Sequence, residues 1–365
     1  MYKIMHKDTV IALADSTKIT EIIEGELCPA CLFAGMDLDH WLKTRYVDVH
    51  RSHSRQLFKA LRMKSEADTE DIIRIGHAVS ITDNWWIQSD TDDLDYFKLK
   101  EYNEEIANIA FYGSSHKEGH SRDGYTELGT VGSYEKAWRY IDNAWYMFKQ
   151  GSKAELVSEY FAYCFLVEMN VPVASYDIFR SKTEIGIVQE CIRTKDFTEN
   201  AHYDFEPFFN YFNDNEEHSY IVSRLKEMDK NTSGDTAKRY AEMCFYDALL
   251  YNVDRHNLNI GFLRDSSSGK ILSLAPCYDL NLSLMSTKTP YFGKSGDLMK
   301  YFTDDNSCME LINDIAPGRE AVEEALQRSV TRVRSAFPED DINYSIITQY
   351  VIDAYDYYIT KKSGK

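Results

Sequence analysis

Polar and apolar positions follow two different periods in the first part of the chain. Residues 2–14 alternate between apolar and polar positions and end in a continuous apolar run, which predicts an opening strand. Residues 38–75 instead have helical patterning. An aromatic and acidic connection then extends from residue 83 to about residue 115. Residues 116–124 (HKEGHSRDG) are polar and contain glycine, so they predict a domain boundary or a flexible loop.

A hairpin and a helix are predicted after this boundary. Residues 137–141 and 144–148 are strand-like, and the Asp-Asn pair between them is typical of a two-residue hairpin turn. Residues 152–155 (SKAE) have the form of a capping box, which predicts a helix running to about residue 169. The buried stripe of this helix is expected to comprise Leu156, Ala162, Phe165, Leu166 and Met169.

The rest of the chain is predicted to be mostly helical around one further hairpin. Residues 184–192 predict a strand, and residues 204–250 and 307–361 predict helices. Residues 259–264 and 270–275 predict two strands, because the turn-forming segment DSSSG separates them. The predicted fold is therefore α+β and bilobal, with a β-rich N-terminal lobe and a mostly α-helical C-terminal lobe.

Composition and charge exclude some classes of partner. The net charge of −18 repels polyanions, so we expect no direct nucleic-acid binding by the whole surface. No stretch reaches the apolar length of a membrane span, and no signal peptide is predicted, so we expect no membrane association. Seven cysteines, an odd number in a long chain, predict reduced thiols in a cytoplasm.

Two local patterns each allow two interpretations. The CxxC pair Cys28 and Cys31 has no second pair or histidine at zinc spacing, which favours a structural role over a redox or metal role. Residues 40–64 are basic, which indicates a solvated helix face or a docking patch for an acidic or nucleic-acid partner. The basic residues of this stretch are Lys43, Arg45, Arg51, Arg55, Lys59, Arg62 and Lys64.

Candidate chemistry is concentrated in residues 251–280. A hairpin brings its two open ends together, so Asn259 at one end and Asp279 beyond the other can meet over one divalent cation. Asp254 lies a short way upstream on the loop, where a carboxylate could take a hydroxyl proton. Each residue alone could equally be a cap or turn former. The order of the three around a hairpin favours a phosphoryl-transfer site.

A second set of candidates lies upstream in the order expected of a kinase N-lobe. Residues 128–133 (LGTVGS) could place backbone N–H groups against phosphate, although glycine pairs are also common in turns. Lys149 ends the second predicted strand, where it is either a phosphate-binding lysine or an ordinary edge-strand lysine. Glu155 is explained by the capping box, so Glu159, one turn further along the helix, is the better candidate partner of Lys149.

Five motifs in this sequence resemble those of a known family, the HipA-like serine/threonine kinases of bacteria. NVDRHNLNIGF and LAPCYDL are similar to the catalytic loop and metal-binding Asp of that family. TVGSYEKA resembles its phosphate-loop segment, WYMFKQG its ATP-binding lysine strand, and SEYFA its helical Glu motif. The resemblance covers roughly residues 128–300 and is most specific at the catalytic loop.

The resemblance implies a role for each candidate. Asp254 would be the catalytic base, and Asn259 and Asp279 would bind Mg²⁺. His256 would either hold the loop or approach the γ-phosphate. ATP would be bound by the phosphate loop, the lysine–glutamate pair and a hinge, which comprise Gly129, Thr130, Val131, Gly132, Ser133, Lys149, Glu159, Gln189 and Cys191.

The resemblance also implies three domains. Residues 1–120 would form an N-terminal subdomain attached to the small lobe, residues 121–192 the kinase N-lobe, and residues 193–365 the helical C-lobe. The expected activity is ATP- and Mg²⁺-dependent transfer to a Ser or Thr hydroxyl of a protein substrate. By family analogy the chain would be an effector, or a toxin paired with a small helix-turn-helix antitoxin.

Two departures from the family pattern leave alternatives open. Leu258 occupies a position where many relatives have a lysine near the transferring phosphate. Gly129 occupies the position of a serine that is autophosphorylated in some relatives, with Thr130 and Ser133 nearby. The alternatives are a nucleotide-binding pseudokinase that acts as an interaction module, or a kinase of a small molecule or lipid.

Overall fold

The computed structural model divides the chain into two compact units. It describes residues 1–47, 51–61, 63, 69–114, 127–130, 134–182, 188–230, 234–284, 310–312, 314–338 and 342–362. The first unit comprises Met1–Gln150, Phe179–Tyr211 and Gly261–Leu272, and the second comprises Gly151–Ile178, Phe212–Ile260 and Ser273–Lys365. Each unit is therefore built from three separate stretches of chain. The three contiguous domains predicted from the sequence stay a prediction.

The first unit begins with a four-stranded sheet. Its strands are β1 (Tyr2–His6), β2 (Thr9–Asp15), β3 (Lys18–Ile22) and β4 (Trp85–Ser89), in the order β3-β2-β1-β4. The prediction of one opening strand was wrong, because a turn at Lys7, with φ of 50°, divides it into an antiparallel hairpin. Both halves contain buried apolar residues, Ile4 and Met5 in β1 and Ile11 and Ala12 in β2, which is why the break is hidden in the pattern.

Among the described residues of the first unit, six short helices lie between residues 30 and 112. They are α1 (Ala30–Phe33), α2 (Leu38–Leu42), α3 (Ser54–Ala60), α4 (Thr69–Gly76), α5 (Tyr96–Leu99) and α6 (Glu104–Tyr112). The helical patterning of residues 38–75 thus corresponds to three helices. The connection predicted from residue 83 to 115 instead contains β4, α5 and α6. The predicted boundary at residues 116–124 lies outside the described residues.

The basic stretch is not a wholly solvated helix face. Arg45 is buried, and its guanidinium forms an ion pair with Asp83 at 2.8 Å. Arg51 is also buried and donates to the Thr130 and Lys136 carbonyls. The predicted solvation was therefore wrong for these two arginines, since charged groups are buried where a partner is available. Arg62 and Lys64 lie outside the described residues.

A second sheet contains the predicted central hairpin. Its strands are β5 (Lys136–Ile141), β6 (Ala144–Lys149), β7 (Tyr176–Lys182) and β8 (Val188–Lys195), in the order β5-β6-β8-β7. Asp142 and Asn143 have φ values of 49° and 62°, the left-handed pair that a tight two-residue hairpin requires. This hairpin is confirmed residue by residue.

A third sheet contains β9 (Tyr203–Pro207), β10 (Gly261–Asp265) and β11 (Ile271–Leu274), in the order β11-β10-β9. The predicted hairpin of β10 and β11 is confirmed. The prediction of helix throughout residues 204–250 was wrong at β9, which pairs antiparallel with β10. A buried ion pair of Arg264 with Glu206, 2.5 Å long, links these two strands.

The second unit is mostly helical. Its main described helices are α7 (Lys153–Glu168), α9 (His218–Asp229), α10 (Thr236–Leu249), α11 (Arg319–Ala336) and α12 (Tyr344–Lys362). The short α8 (Phe209–Phe212) precedes α9 and belongs to the first unit except for its last residue. Helix α11 packs on α7, where Arg328 forms a 2.7 Å ion pair with Glu168. The described residues form both β-sheets and α-helices, which confirms the predicted α+β class. Within the described residues, every helix is too short or too polar to cross a membrane.

Candidate active site

Helix α7 of the second unit carries Glu159 at a buried position. The helix begins with the predicted capping box, in which the Glu155 carboxylate accepts from the Ser152 N–H at 2.6 Å. Glu155 is thereby used locally. Glu159, one turn further on, is only 2% exposed. A buried carboxylate requires polar partners, so Glu159 has a different role from that of a surface helix residue.

Helix α10 leads the chain into the candidate catalytic loop through a buried ion pair. Asp247, near the end of α10, accepts two hydrogen bonds from the Arg255 guanidinium, at 2.8 and 3.1 Å. Both side chains are almost completely buried. Burial opposes the charge of Arg255, but the Asp247 carboxylate outweighs it and raises the pKa of Arg255 above its usual value.

Asn259 braces the loop that carries Asp254. The Asn259 side-chain amide donates to the Asp254 carbonyl, and its Oδ1 accepts from the His256 N–H at 2.9 Å. Asn259 is buried, whereas Asp254 is half-buried. The spacing of five residues between Asp254 and Asn259 therefore corresponds to a direct hydrogen bond across the loop.

Two hydrogen bonds tie this loop to the segment that carries Asp279. Arg255 Nη1 donates to the Asn259 carbonyl at 2.9 Å and to the Tyr278 carbonyl at 2.8 Å. The Tyr278 hydroxyl donates to the Leu258 carbonyl at 3.1 Å. The backbones on either side of the two predicted metal ligands are thus held together within one unit.

Asp279 has a left-handed backbone, with φ of 56°. Its N–H donates to the Tyr176 hydroxyl at 3.0 Å. A residue other than glycine costs about 1 kcal/mol or more in this conformation. The surrounding structure therefore stabilises an unusual backbone at the predicted metal ligand.

His256 has a local structural contact. Its Nδ1 accepts from the Leu258 N–H at 3.2 Å, which fixes the ring against the loop. The neighbouring Asn257 is buried and donates to the Asn213 and Asn215 carbonyls at 2.8 and 2.9 Å. This geometry supports the loop-holding role of His256.

The donor chemistry of Asn259 and Asp279 fits Mg²⁺. Both side chains present oxygen, and the Asn259 Oδ1 retains a second lone pair beyond its bond from His256. Magnesium is often held by one or two protein oxygens together with substrate phosphates and water. Among the described residues there is no group of three or more His, Cys, Asp or Glu side chains that could hold a metal by itself.

The first unit carries the other predicted site residues. Lys149 ends β6, is 8% exposed and lies with its Nζ 5.3 Å from the centre of the Tyr134 ring. Ile192 of β8 is its cross-strand neighbour. The hinge candidates Gln189 and Cys191 are on the same β8 strand. Burial raises the pKa of the Cys191 thiol to about 12, so this cysteine is a packed side chain rather than a nucleophile.

The phosphate-loop candidates are only partly described. Gly129 packs against backbone, since a Cβ there would lie 2.2 Å from the Val79 carbonyl oxygen. Thr130 is buried, and its hydroxyl has no hydrogen-bond partner among the described residues. Val131, Gly132 and Ser133 lie outside the described residues, so their predicted phosphate contacts stay predictions.

The two residues of the CxxC pair are buried free thiols. Burial raises the pKa of Cys28 to about 12 and raises that of Cys31 further, with the Glu206 carboxylate as the second cause for both. All cysteines in the described parts of the chain are free. This environment agrees with the structural interpretation of the pair, because reactive thiols need a lowered pKa.

Four residues of the site were missed by the sequence reasoning. They are Tyr176, Asp247, Arg255 and Tyr278. Arg255 offered a signal, because it stands directly between Asp254 and His256 in the predicted catalytic loop. The other three depend on contacts between distant segments, which no local pattern reveals.

The model of the HipA-like C-terminal domain matches residues 133–337, which is more than half of the chain. No curated protein gives a significant match. A structure of the toxin–antitoxin system HipA, HipB and operator DNA from Shewanella oneidensis MR-1 is similar with a TM-score of 0.60 and 12% identity, and the match covers 99% of this chain and 98% of that one.

A second structure, the proinflammatory kinase CtkA of Helicobacter pylori, matches with a TM-score of 0.43 and 18% identity. That match covers 62% of this chain and 90% of the CtkA chain. The likeness to the Shewanella protein over nearly the whole of both chains confirms the predicted kinase-like α+β fold. Because the model of the HipA-like C-terminal domain matches more than half of this chain, the chain belongs to the HipA-like family.

Proposed function

We propose that this protein is an ATP- and Mg²⁺-dependent serine/threonine protein kinase. The observation that carries the proposal is the brace around the catalytic loop. The Asn259 amide bonds the Asp254 carbonyl, and Arg255 joins the carbonyls of Asn259 and Tyr278. One rigid assembly of this kind can hold a base and two oxygen ligands in fixed positions, which phosphoryl transfer requires.

Each candidate residue has a distinct proposed role. Bound Mg²⁺ and ATP would supply the transferable phosphoryl group and the charge compensation for it. Asp254 orients the acceptor hydroxyl and takes its proton. Asn259 and Asp279 present oxygen ligands to the cation. Lys149 offsets phosphate charge, as the resemblance to the lysine strand of the family implies.

Leu258 supports one competing function, a nucleotide-binding pseudokinase. In the loop the Leu258 N–H donates to His256 Nδ1, and the Leu258 carbonyl accepts from the Tyr278 hydroxyl. Its apolar side chain can offer no charge to a transferring phosphate. A protein that binds nucleotide and transfers nothing would act as an interaction module.

A transfer assay separates the two functions. The protein is incubated with Mg²⁺ and γ-labelled ATP, with a cell lysate as a source of acceptors, beside Asp254→Ala and Asp279→Ala. An Asp353→Ala variant removes an exposed carboxylate of α12 as a matched control. We expect label in Ser or Thr of a protein with the wild type and the control, and none with the two site variants.

Two other results would redirect the proposal. ATP binding without any labelled product identifies a pseudokinase. Label that enters only a lipid or small metabolite identifies a kinase of that class. The net charge of −18 disfavours an anionic membrane substrate, because like charges repel.

We further propose a small helix-turn-helix protein as partner, in a toxin–antitoxin pair. The similar Shewanella structure contains HipA with HipB and operator DNA, which supports this choice over that of a solitary effector. The test is co-expression with the product of the neighbouring open reading frame. Co-purification and relief of growth inhibition are expected, whereas toxicity that the neighbour leaves unchanged would favour an effector.

A further inference from the structure

The hydroxyl of Tyr176 lies between two residues of the candidate site. It accepts from the Asp279 N–H at 3.0 Å and hydrogen-bonds the Glu159 carboxylate. All three residues belong to the second unit, and Tyr176 is only 5% exposed. One buried hydroxyl thus connects helix α7 to the predicted metal ligand.

The directions of these two bonds are fixed by chemistry. A backbone N–H can only donate, so the Tyr176 oxygen is the acceptor toward Asp279. The hydroxyl proton is then available to the Glu159 carboxylate. The Tyr176 hydroxyl therefore accepts from Asp279 and donates to Glu159.

The backbone around Tyr176 is aligned with the segment of Asp279. The Cys277 N–H donates to the Pro172 carbonyl, and the Ala174 N–H donates to the Cys277 carbonyl, both at 2.9 Å. Val173 and Cys277 form a parallel bridge. The two segments therefore run side by side. Beyond the backbone hydrogen bonds at Cys277, the Tyr176 hydroxyl forms the next bond between them, with the Asp279 N–H.

The left-handed backbone of Asp279 requires this support. At φ of 56° the residue is strained, and its N–H would lose this acceptor if the Tyr176 hydroxyl were absent. A buried donor without a partner is unfavourable. Relaxation of the backbone would then move the carboxylate that the cation needs.

We propose that Tyr176 is a positioning residue that couples Glu159 to Asp279 and so sets the geometry of the metal ligand. The inference rests on the proposed kinase function. Tyr176 touches neither metal nor nucleotide in this scheme. It acts through Asp279. A displacement of Glu159 would move the Tyr176 hydroxyl and thereby change the position of Asp279 at the metal site.

The test measures metal binding rather than phosphoryl transfer. Binding of Mn²⁺, in place of Mg²⁺, to the protein with a non-hydrolysable ATP analogue is followed by the electron paramagnetic resonance signal of free Mn²⁺. Tyr176→Phe should weaken Mn²⁺ binding roughly three- to tenfold, the equivalent of one hydrogen bond. Binding of the analogue alone, measured in EDTA, should be unchanged.

Two further variants separate positioning from general packing. Tyr163→Phe removes a hydroxyl from a ring 5.7 Å from that of Tyr176 and should leave Mn²⁺ affinity at the wild-type value. Glu159→Gln weakens the other partner of the Tyr176 hydroxyl and should lower the affinity in the same direction. The Glu159→Gln/Tyr176→Phe double variant should lose less than the sum of the two single losses, because both changes break the link through the Tyr176 hydroxyl.

Several results would overturn the inference. These are wild-type Mn²⁺ affinity in folded Tyr176→Phe, equal losses in Tyr163→Phe, or additive losses in the double variant. If Tyr176→Phe does not fold, wild-type affinity in Glu159→Gln is sufficient to reject the coupling. A wild type that transfers phosphate while these variants bind Mn²⁺ normally leaves the proposed function standing. Failure of the wild type to bind Mn²⁺ with the analogue rejects the function and the inference together.

Discussion

Arg255 shows how a single buried residue organises the candidate site. Its guanidinium is neutralised by Asp247 and has two further bonds to the carbonyls of Asn259 and Tyr278. Removing one partner of a buried ion pair leaves the other charge uncompensated, which costs more than the pair contributes. The residue is therefore expected to be important for stability as well as for geometry.

We predict that Arg255→Met lowers the free energy of unfolding by about 3–5 kcal/mol, since Asp247 would remain buried without its cation. The measurement is urea denaturation followed by circular dichroism. Arg239→Met is the matched control on helix α10, where an exposed arginine lies 3.5 Å from Glu242. A surface pair of this kind contributes at most about 1 kcal/mol. Equal losses in the two variants would contradict the account.

Glu127 gives the first unit a pH dependence. Burial raises the pKa of this carboxyl to about 7, although Arg51 and the Trp138 N–H, at 2.8 Å, oppose the shift. An acid whose pKa is raised by folding binds its proton more tightly in the folded state than in the unfolded state. Its contribution to stability is thus complete below the unfolded pKa of 4.5 and is lost as the pH rises through 7.

We predict that the wild type loses on the order of 3 kcal/mol from this group between those two pH values. Glu127→Gln, which stays neutral, should have a correspondingly flatter profile. The measurement is the urea midpoint of both proteins across this pH window. Parallel profiles would show that Glu127 does not titrate as its burial requires.

Residue identities at the site were predictable only where they follow from local spacing. Asp254 and Asn259 were chosen for their order before the hairpin, and a hydrogen bond does join them. Tyr176 was invisible because its partner Asp279 is more than a hundred residues away.

Elements with local end signals were predicted most accurately. Helix α7 begins after Ser152 because the capping box supplies its first N–H groups with acceptors within four residues. The β5–β6 hairpin was found for a similar reason. Strand β9 was missed, since only its pairing with β10, far along the chain, distinguishes it from a helix.

We predict that Ser152→Ala destabilises the protein by about 1 kcal/mol, because an N–H at the start of α7 loses its side-chain acceptor. Ser152→Asp retains an acceptor and should stay close to the wild type. Both are compared by urea denaturation at neutral pH. A loss of the same size in both variants would mean that the cap does not stabilise α7.

At the scale of the whole molecule, patterning was sufficient for the fold class. A β-rich region followed by helices predicted α+β, and the two compact units have these compositions. The composition of the units was not predictable, because each gathers three separate stretches of chain. Strand β10 follows Asn259 by two residues and yet belongs to the other unit. The passage of the chain from one unit to the other at this point is determined by the pairing of β10 in its sheet, and no linker-like sequence marks it.

The most direct test of the central claim is a crystal structure with Mn²⁺ and a non-hydrolysable ATP analogue. The account predicts an anomalous Mn²⁺ peak at coordination distance, about 2.1 Å, from side-chain oxygens of Asn259 and Asp279. The γ-phosphate should lie on the same ion, with Asp254 facing it. A nucleotide bound without metal at these two residues, or bound elsewhere, would contradict the account.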